Sequence, residues 1–143
     1  MAGWDLSFGI SLVLGAWNLD VFPMSESAVI LNALGNVYNK LGEPAKARAR
    51  FERALVLAER TKHTPLVVSC LVNISEIHAL EKQWDIVLIQ SRRALGLARE
   101  IGSRDLISVC LNNIGDALRE TGDVSGALTH YLESMKIFEE MNA

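Results

Sequence analysis

The sequence predicts an all-α chain, an α-solenoid of antiparallel helix pairs, on three observations. The chain matches itself at an offset of 40 residues, where Leu31-Asn32-Ala33-Leu34-Gly35-Asn36, Leu71-Val72-Asn73-Ile74-Ser75-Glu76 and Leu111-Asn112-Asn113-Ile114-Gly115-Asp116 coincide. Within each copy, apolar residues recur at spacings of three and four, the period of a helix with one buried face. Small residues hold fixed places in the repeat, Gly35, Ser75 and Gly115 on the first helix of each unit and Ala47, Ala54, Ala94 and Ala127 on the second, as close helix approach requires.

Taken in order, residues 1–22 form an apolar segment and residues 23–143 hold three hairpins, 24–61, 64–101 and 104–141. Trp4-Asp5 lies two periods before Trp84-Asp85, and Ser11 two periods before Ser91. The segment is therefore expected to be the second helix of an incomplete leading repeat. The alternation of Trp4, Leu6, Phe8, Ile10, Leu12 and Leu14 with smaller or polar residues also fits a strand. The first hairpin opens at Ser25 or Ser27 and turns at Gly42-Glu43-Pro44, with Leu31, Leu34, Tyr38 and Leu41 on one stripe and Phe51, Leu55 and Ala58 on the next. Thr64-Pro65 opens the third helix, Gly102-Ser103 the fifth and Gly122-Asp123 the sixth. Six helices are expected over 24–41, 44–61, 64–81, 84–101, 104–121 and 124–141. A hairpin of this kind cannot bury its apolar face alone, so the stack supplies the core. The chain stops at Met141-Asn142-Ala143 with no polar capping helix, which predicts either a longer parent protein or an end covered by another molecule.

Composition narrows the function. With 17 acidic and 14 basic residues the net charge is -3, which gives no general attraction for nucleic acid. The apolar run Leu6 to Trp17 is shorter than the roughly 20 residues of a membrane span. No basic side chain precedes it, as a signal peptide would need. Cys70 and Cys110 occupy equivalent places in successive repeats, where stacked helices about 8–10 Å apart keep them beyond disulfide reach. They read as buried free thiols, and the chain as cytoplasmic, with no membrane association. His63, His78 and His130 lack the short spacing of a metal motif, and there is no phosphate loop or G-x-S-x-G element. No cofactor, metal or catalytic activity is expected.

The spacing Leu34-Gly35-x-x-Tyr38, Gly42, Ala47, Phe51, Ala54, repeated largely in Ile114-Gly115, Gly122, Ala127 and Tyr131, resembles the tetratricopeptide signature over residues 24–141. The 40-residue period resembles the variant found in cell-polarity and motor-adaptor scaffolds and in bacterial signalling proteins. The middle unit departs from it. Ser75 replaces the glycine, Lys82-Gln83 the turn glycine, Val87 the alanine and Ser91 the aromatic, which predicts a splayed or weaker hairpin.

The resemblance implies a non-catalytic scaffold whose first helices line a concave groove for an extended or helical peptide of a partner protein. Its polar positions here are Asn32, Asn36, Asn39, Asn73, Glu76, Asn112, Asn113, Asp116 and Arg119. An asparagine amide both donates and accepts, and so can pair with an extended backbone. The competing reading is a solvated polar face. Asn36 and Asn73 match positions of the carboxylate clamp of chaperone-binding relatives, but Asn32, Val109 and Asn113 stand where that clamp needs cations. With Glu76, Asp116 and Glu120 nearby, a neutral or mildly basic ligand is expected. Arg48, Arg50, Arg53, Arg60, Arg92, Arg93 and Arg99 fall on second helices, balanced at i,i+4 scale by Glu52, Glu59 and Glu100. The alternative function is self-association through open apolar ends, using Trp4, Phe8, Leu12 and Trp17 as a patch and giving a homo-oligomer.

Overall fold

The computed structural model describes residues 24–143, which form α1 (Met24–Lys40), α2 (Pro44–Arg60), α3 (Thr64–Leu80), α4 (Trp84–Glu100), α5 (Arg104–Glu120) and α6 (Val124–Met141). The apolar segment 1–22, with Trp4, Phe8, Leu12 and Trp17, lies outside the described residues.

What sets these bounds is one turn made five times. Residues 42, 62, 82, 102 and 122 all have positive φ. The next N–H in each case reaches back to a carbonyl five residues earlier: Glu43 to Tyr38 at 3.0 Å, His63 to Ala58 at 2.9 Å, Gln83 to His78 at 3.0 Å, Ser103 to Ala98 at 3.1 Å and Asp123 to Leu118 at 2.8 Å. This is the Schellman closure, which satisfies helix-end carbonyls and reverses the chain. Glycine fills three of the sites; Lys62 and Lys82 hold the left-handed conformation at the other two, with φ of 54° and 58°. The residue that closes one helix also starts the next. Asp123 Oδ1 accepts from the Gly126 N–H at 2.9 Å and His63 Nδ1 from the Leu66 N–H at 3.1 Å, while Pro44 and Pro65 sit in first turns where no N–H is needed.

Each helix packs antiparallel on the next. The first helices α1, α3 and α5 also touch one another along the stack, whereas α2, α4 and α6 lie further apart and are tied by Arg93 to Glu59 and Arg99 to Glu133. Closer spacing on one side curves the array, with α1, α3 and α5 on the concave face. Leu31, Leu71 and Leu111 repeat at one buried register, Cys70 and Cys110 at another, Ala58 and Ala98 at a third.

Two of the three hairpins are closed by a glycine under an aromatic ring. A methyl group at Gly35 would overlap Phe51, and one at Gly115 would lie 2.6 Å from Tyr131. The middle hairpin closes differently, by exchanging both partners. Ser75 and Ser91 are buried at the corresponding positions, and Ser75 Oγ donates to Leu71 O at 2.8 Å and contacts Gln90 Oε1 at 3.3 Å. A side chain where glycine was needed is accommodated because the ring opposite it is gone. The hairpin stays packed, with Val87 buried, so the expected splaying is not observed.

Several local expectations are corrected. The first five helices end one residue early, because the left-handed residue must follow a cap position. Leu41 falls on such a cap and is exposed, not part of the stripe. Ser27 lies inside α1 with its hydroxyl buried, and does not precede the helix. Charge balance on the outer face runs between hairpins, Arg48 to Glu81 at 2.7 Å, Arg99 to Glu133 at 2.8 Å and Arg93 to Glu59, where i,i+4 pairing was expected.

Two predictions follow from the turns and the locks. Lys82→Gly relieves the left-handed strain and raises stability by about 1 kcal/mol in urea unfolding. Ser91→Phe alone overpacks against Ser75 and costs roughly 1–3 kcal/mol. Adding Ser75→Gly recovers most of that loss in a double-mutant cycle; additive penalties would contradict the glycine–aromatic exchange.

Candidate functional site

The concave face brings the predicted polar positions together unevenly. On α1, Asn36 is exposed and Asn39 half-buried. Asn32 Oδ1 accepts from Asn73 Nδ2 at 3.0 Å, with Cys70 Sγ at 3.6 Å. These two asparagines join α1 to α3 and are occupied with each other. One period later Val72 stands where Asn32 stood. The Nδ2 of Asn113 is accordingly buried with no hydrogen-bond partner among the described residues. Asn112 is exposed beside it.

Asn113 lines a cleft of about 290 Å³ with Ser75, Glu76, Ala79, Leu80, Trp84, Val87, Asp116 and Arg119. The floor comes from the second half of α3 and the start of α4; α5 supplies the far wall. Trp84, Leu80 and Val87 give it an apolar side, and Glu76, Asp116 and Asn113 a polar one. Desolvation raises the Glu76 carboxyl above its ordinary range. Asp116 accepts from the Tyr131 hydroxyl at 2.5 Å and lies 3.6 Å from Arg119, which also reaches Glu120 at 3.2 Å. Burial, then the Asp116 carboxylate, pushes the Tyr131 hydroxyl up to about 12. Tyr131 thus serves as a fixed donor, tying the groove carboxylate to the lock of the third hairpin.

Of the nine predicted residues, Glu76, Asn113, Asp116 and Arg119 converge on this cleft. Asn32 and Asn73 are spent on each other, and Asn36, Asn39 and Asn112 lie on the concave helices outside the cleft lining. Sequence reading missed its apolar half. The available signal was Trp84, a large aromatic in a first turn where the other second helices have Pro44 and Val124.

A more open depression of about 350 Å³ borders the other side of this region, lined by Lys82, Gln83, Trp84, Asp85, Ile86 and Thr121. Cys70 and Cys110 are free and buried, and burial pushes their thiols up to about 12 and about 11, so both stay protonated at neutral pH. Among the described residues, no three His, Cys, Asp or Glu side chains are grouped to hold a metal, and no helix is long and apolar enough to cross a membrane.

Tetratricopeptide repeat family models match residues 26–100 and 108–142, together spanning all three hairpins. The chain belongs to the tetratricopeptide repeat family. No curated protein matches it in sequence. Among solved structures, the tetratricopeptide domain of Arabidopsis FLU is 19% identical with a TM-score of 0.76, covering 82% of this chain and 99% of that one. Aspartyl phosphate phosphatase F of Bacillus subtilis is 16% identical with a TM-score of 0.79, over 85% of this chain and 32% of that one. The N-terminal domain of stress-induced protein-1 from C. elegans is 22% identical with a TM-score of 0.68, over 82% and 88%. At these identities the likeness shows the fold alone. Tetratricopeptide arrays serve in general as scaffolds that bind protein partners.

The Glu76 carboxyl gives a pH prediction. A group whose folded pKa is raised stabilises the fold below its unfolded value, here near 4.5, and loses that contribution as pH rises through the raised value. Glu76→Gln therefore raises the melting temperature at pH 7, and the difference from wild type vanishes below pH 4.5. A difference unchanged across that range would remove desolvation as the cause.

Proposed function

We propose that the tetratricopeptide array is a non-catalytic interaction module that holds an extended or helical peptide of a partner protein along α1, α3 and α5. The observation that carries this reading is the buried, unpartnered Nδ2 of Asn113 at the cleft. A buried amide without a partner costs about 1–3 kcal/mol, and a backbone carbonyl from a docked peptide would recover it. The apolar wall of Trp84, Leu80 and Val87 suits an aliphatic or aromatic side chain. Glu76 and Asp116 favour a neutral or basic neighbour over an acidic one.

The same residues argue against a clamp for a terminal carboxylate, since Arg119 is already engaged by Asp116 and Glu120. A non-catalytic role fits the cleft, where the one hydroxyl in the lining, that of Ser75, is buried and committed to Leu71 O. The buried protonated thiols are consistent with a reducing, cytoplasmic setting, and the net charge of -3 with a protein partner in preference to nucleic acid.

The test is a peptide-display selection against the full chain, followed by affinity measurement on variants of unchanged helicity. Asn113→Ala with Glu76→Gln is expected to weaken the selected peptides at least tenfold, about 1.4 kcal/mol. Glu52→Ala on the outer face should leave them unaffected. Peptides that bind both variants alike would place the binding surface elsewhere.

A further inference from the structure

The two ends of the described stack expose side chains most of whose register mates are buried at the internal junctions. On α1, Ile30 is 45% and Val37 53% exposed. One and two periods later these positions are Cys70 and Cys110, and Ile77 and Ala117, all at 0%. On α6, Met135 is 52% and Phe138 62% exposed. The earlier copies of the Phe138 position, Ala58 and Ala98, are at 0%, while at the Met135 position Leu55 is half-buried and Leu95 buried. The faces are not merely apolar. One is the side of a first helix that receives a second helix, and the other is the side of a second helix that receives a first.

Polar register agrees. Adjacent second helices are tied by Glu59 to Arg93 at one junction and by Arg99 to Glu133 at the next, the same two positions with the charges exchanged. Carried forward one more period, the pair is Glu139 with the residue at position 53 of a following first hairpin, and that residue is Arg53. Neither has an ion-pair partner among the described residues. The Arg48 to Glu81 pair carries forward likewise, through Leu88 and Thr121, to Leu128 and Leu41. These are both exposed and both apolar, so an apolar pair would stand where the first junction has an ion pair.

We propose that α6 of one copy of this chain docks on α1 of a second copy, continuing the stack head to tail and joining the concave grooves of the two. The contact is heterologous, using different surfaces on each partner, and therefore propagates beyond a dimer. Residues 4–20 of the same chain, aligned in this register, would offer Leu19 opposite Arg53 and Asn18 at the Ala58 position. A second copy offers Glu139 and Phe138. Because Phe138 and Ile30 are bulkier than the internal Ala58–Cys70 and Ala98–Cys110 sets, the new junction seats its helices further apart than the internal ones. This inference stands apart from the peptide groove, since none of these residues lines the cleft.

The test is light scattering on the full chain over a concentration series. Weight-average mass is expected to rise past that of a dimer. Phe138→Asp and Ile30→Asp each stop growth with helicity unchanged, and an equimolar mixture of the two variants forms dimers only, because one working face of each kind remains. Arg53→Glu and Glu139→Arg each weaken association several-fold, and the two combined in one chain restore it. A monomer at all concentrations overturns the proposal. So does an assembly that survives Ile30→Asp, or one that both charge reversals weaken without rescue when combined.

Discussion

Everything in this array depends on a turn that recurs every twenty residues. A left-handed residue followed by an N–H bonded five residues back both ends one helix and aims the next. Because the closing residue is also the cap of the following helix, no slack separates the elements. Helix length, hairpin pairing and inter-hairpin register are then set together. Two of the five sites carry lysine and take up the strain of φ near +55°, which shows how strongly the stack as a whole over-determines each turn.

With register fixed, the interior becomes a set of positional choices that must agree in pairs. Gly35 needs Phe51 and Gly115 needs Tyr131; where one member changes, the other must. Ser75 with Ser91 is such a joint change. It also has a consequence on the concave side, since Ser75 and Val87 both border the cleft that holds Trp84 and Asn113. The groove's pocket thus sits at the one hairpin whose internal packing departs from its neighbours.

Much of this was legible in the sequence. The 40-residue self-match placed every described helix within a residue of its observed end, because glycine or proline marks four of the five turns and the period supplies the one at Lys82. The concave positions were legible as a face, since first-helix polar residues recur with the repeat. Their pairing was not. That Asn32 satisfies the Asn73 amide while Val72 leaves Asn113 Nδ2 without a partner among the described residues follows from side-chain reach across neighbouring helices, which a one-dimensional repeat does not encode. Ion pairs were misassigned for a related reason. Local i,i+4 spacing is visible in the chain, whereas Arg99 and Glu133 meet only once two hairpins have stacked.

A linear stack differs from a closed globule in how its stability and its assembly are related. Among the described residues each hairpin contacts only its neighbours, so stability is a sum of nearly repeated interface terms, with no contact between the first hairpin and the last. The same surfaces that hold α2 on α3 and α4 on α5 recur, in altered residues, on α6 and α1. In the proposed head-to-tail contact, the interface that folds the chain internally would also serve externally, at a strength set by how far the outer copies have diverged. Phe138 and Ile30 diverge towards larger apolar area, and Glu139 and Arg53 keep opposite charge. Substitutions drifting towards a monomer would instead place polar residues at positions 30, 37 and 138, because exposure there would no longer be offset by burial against a neighbour.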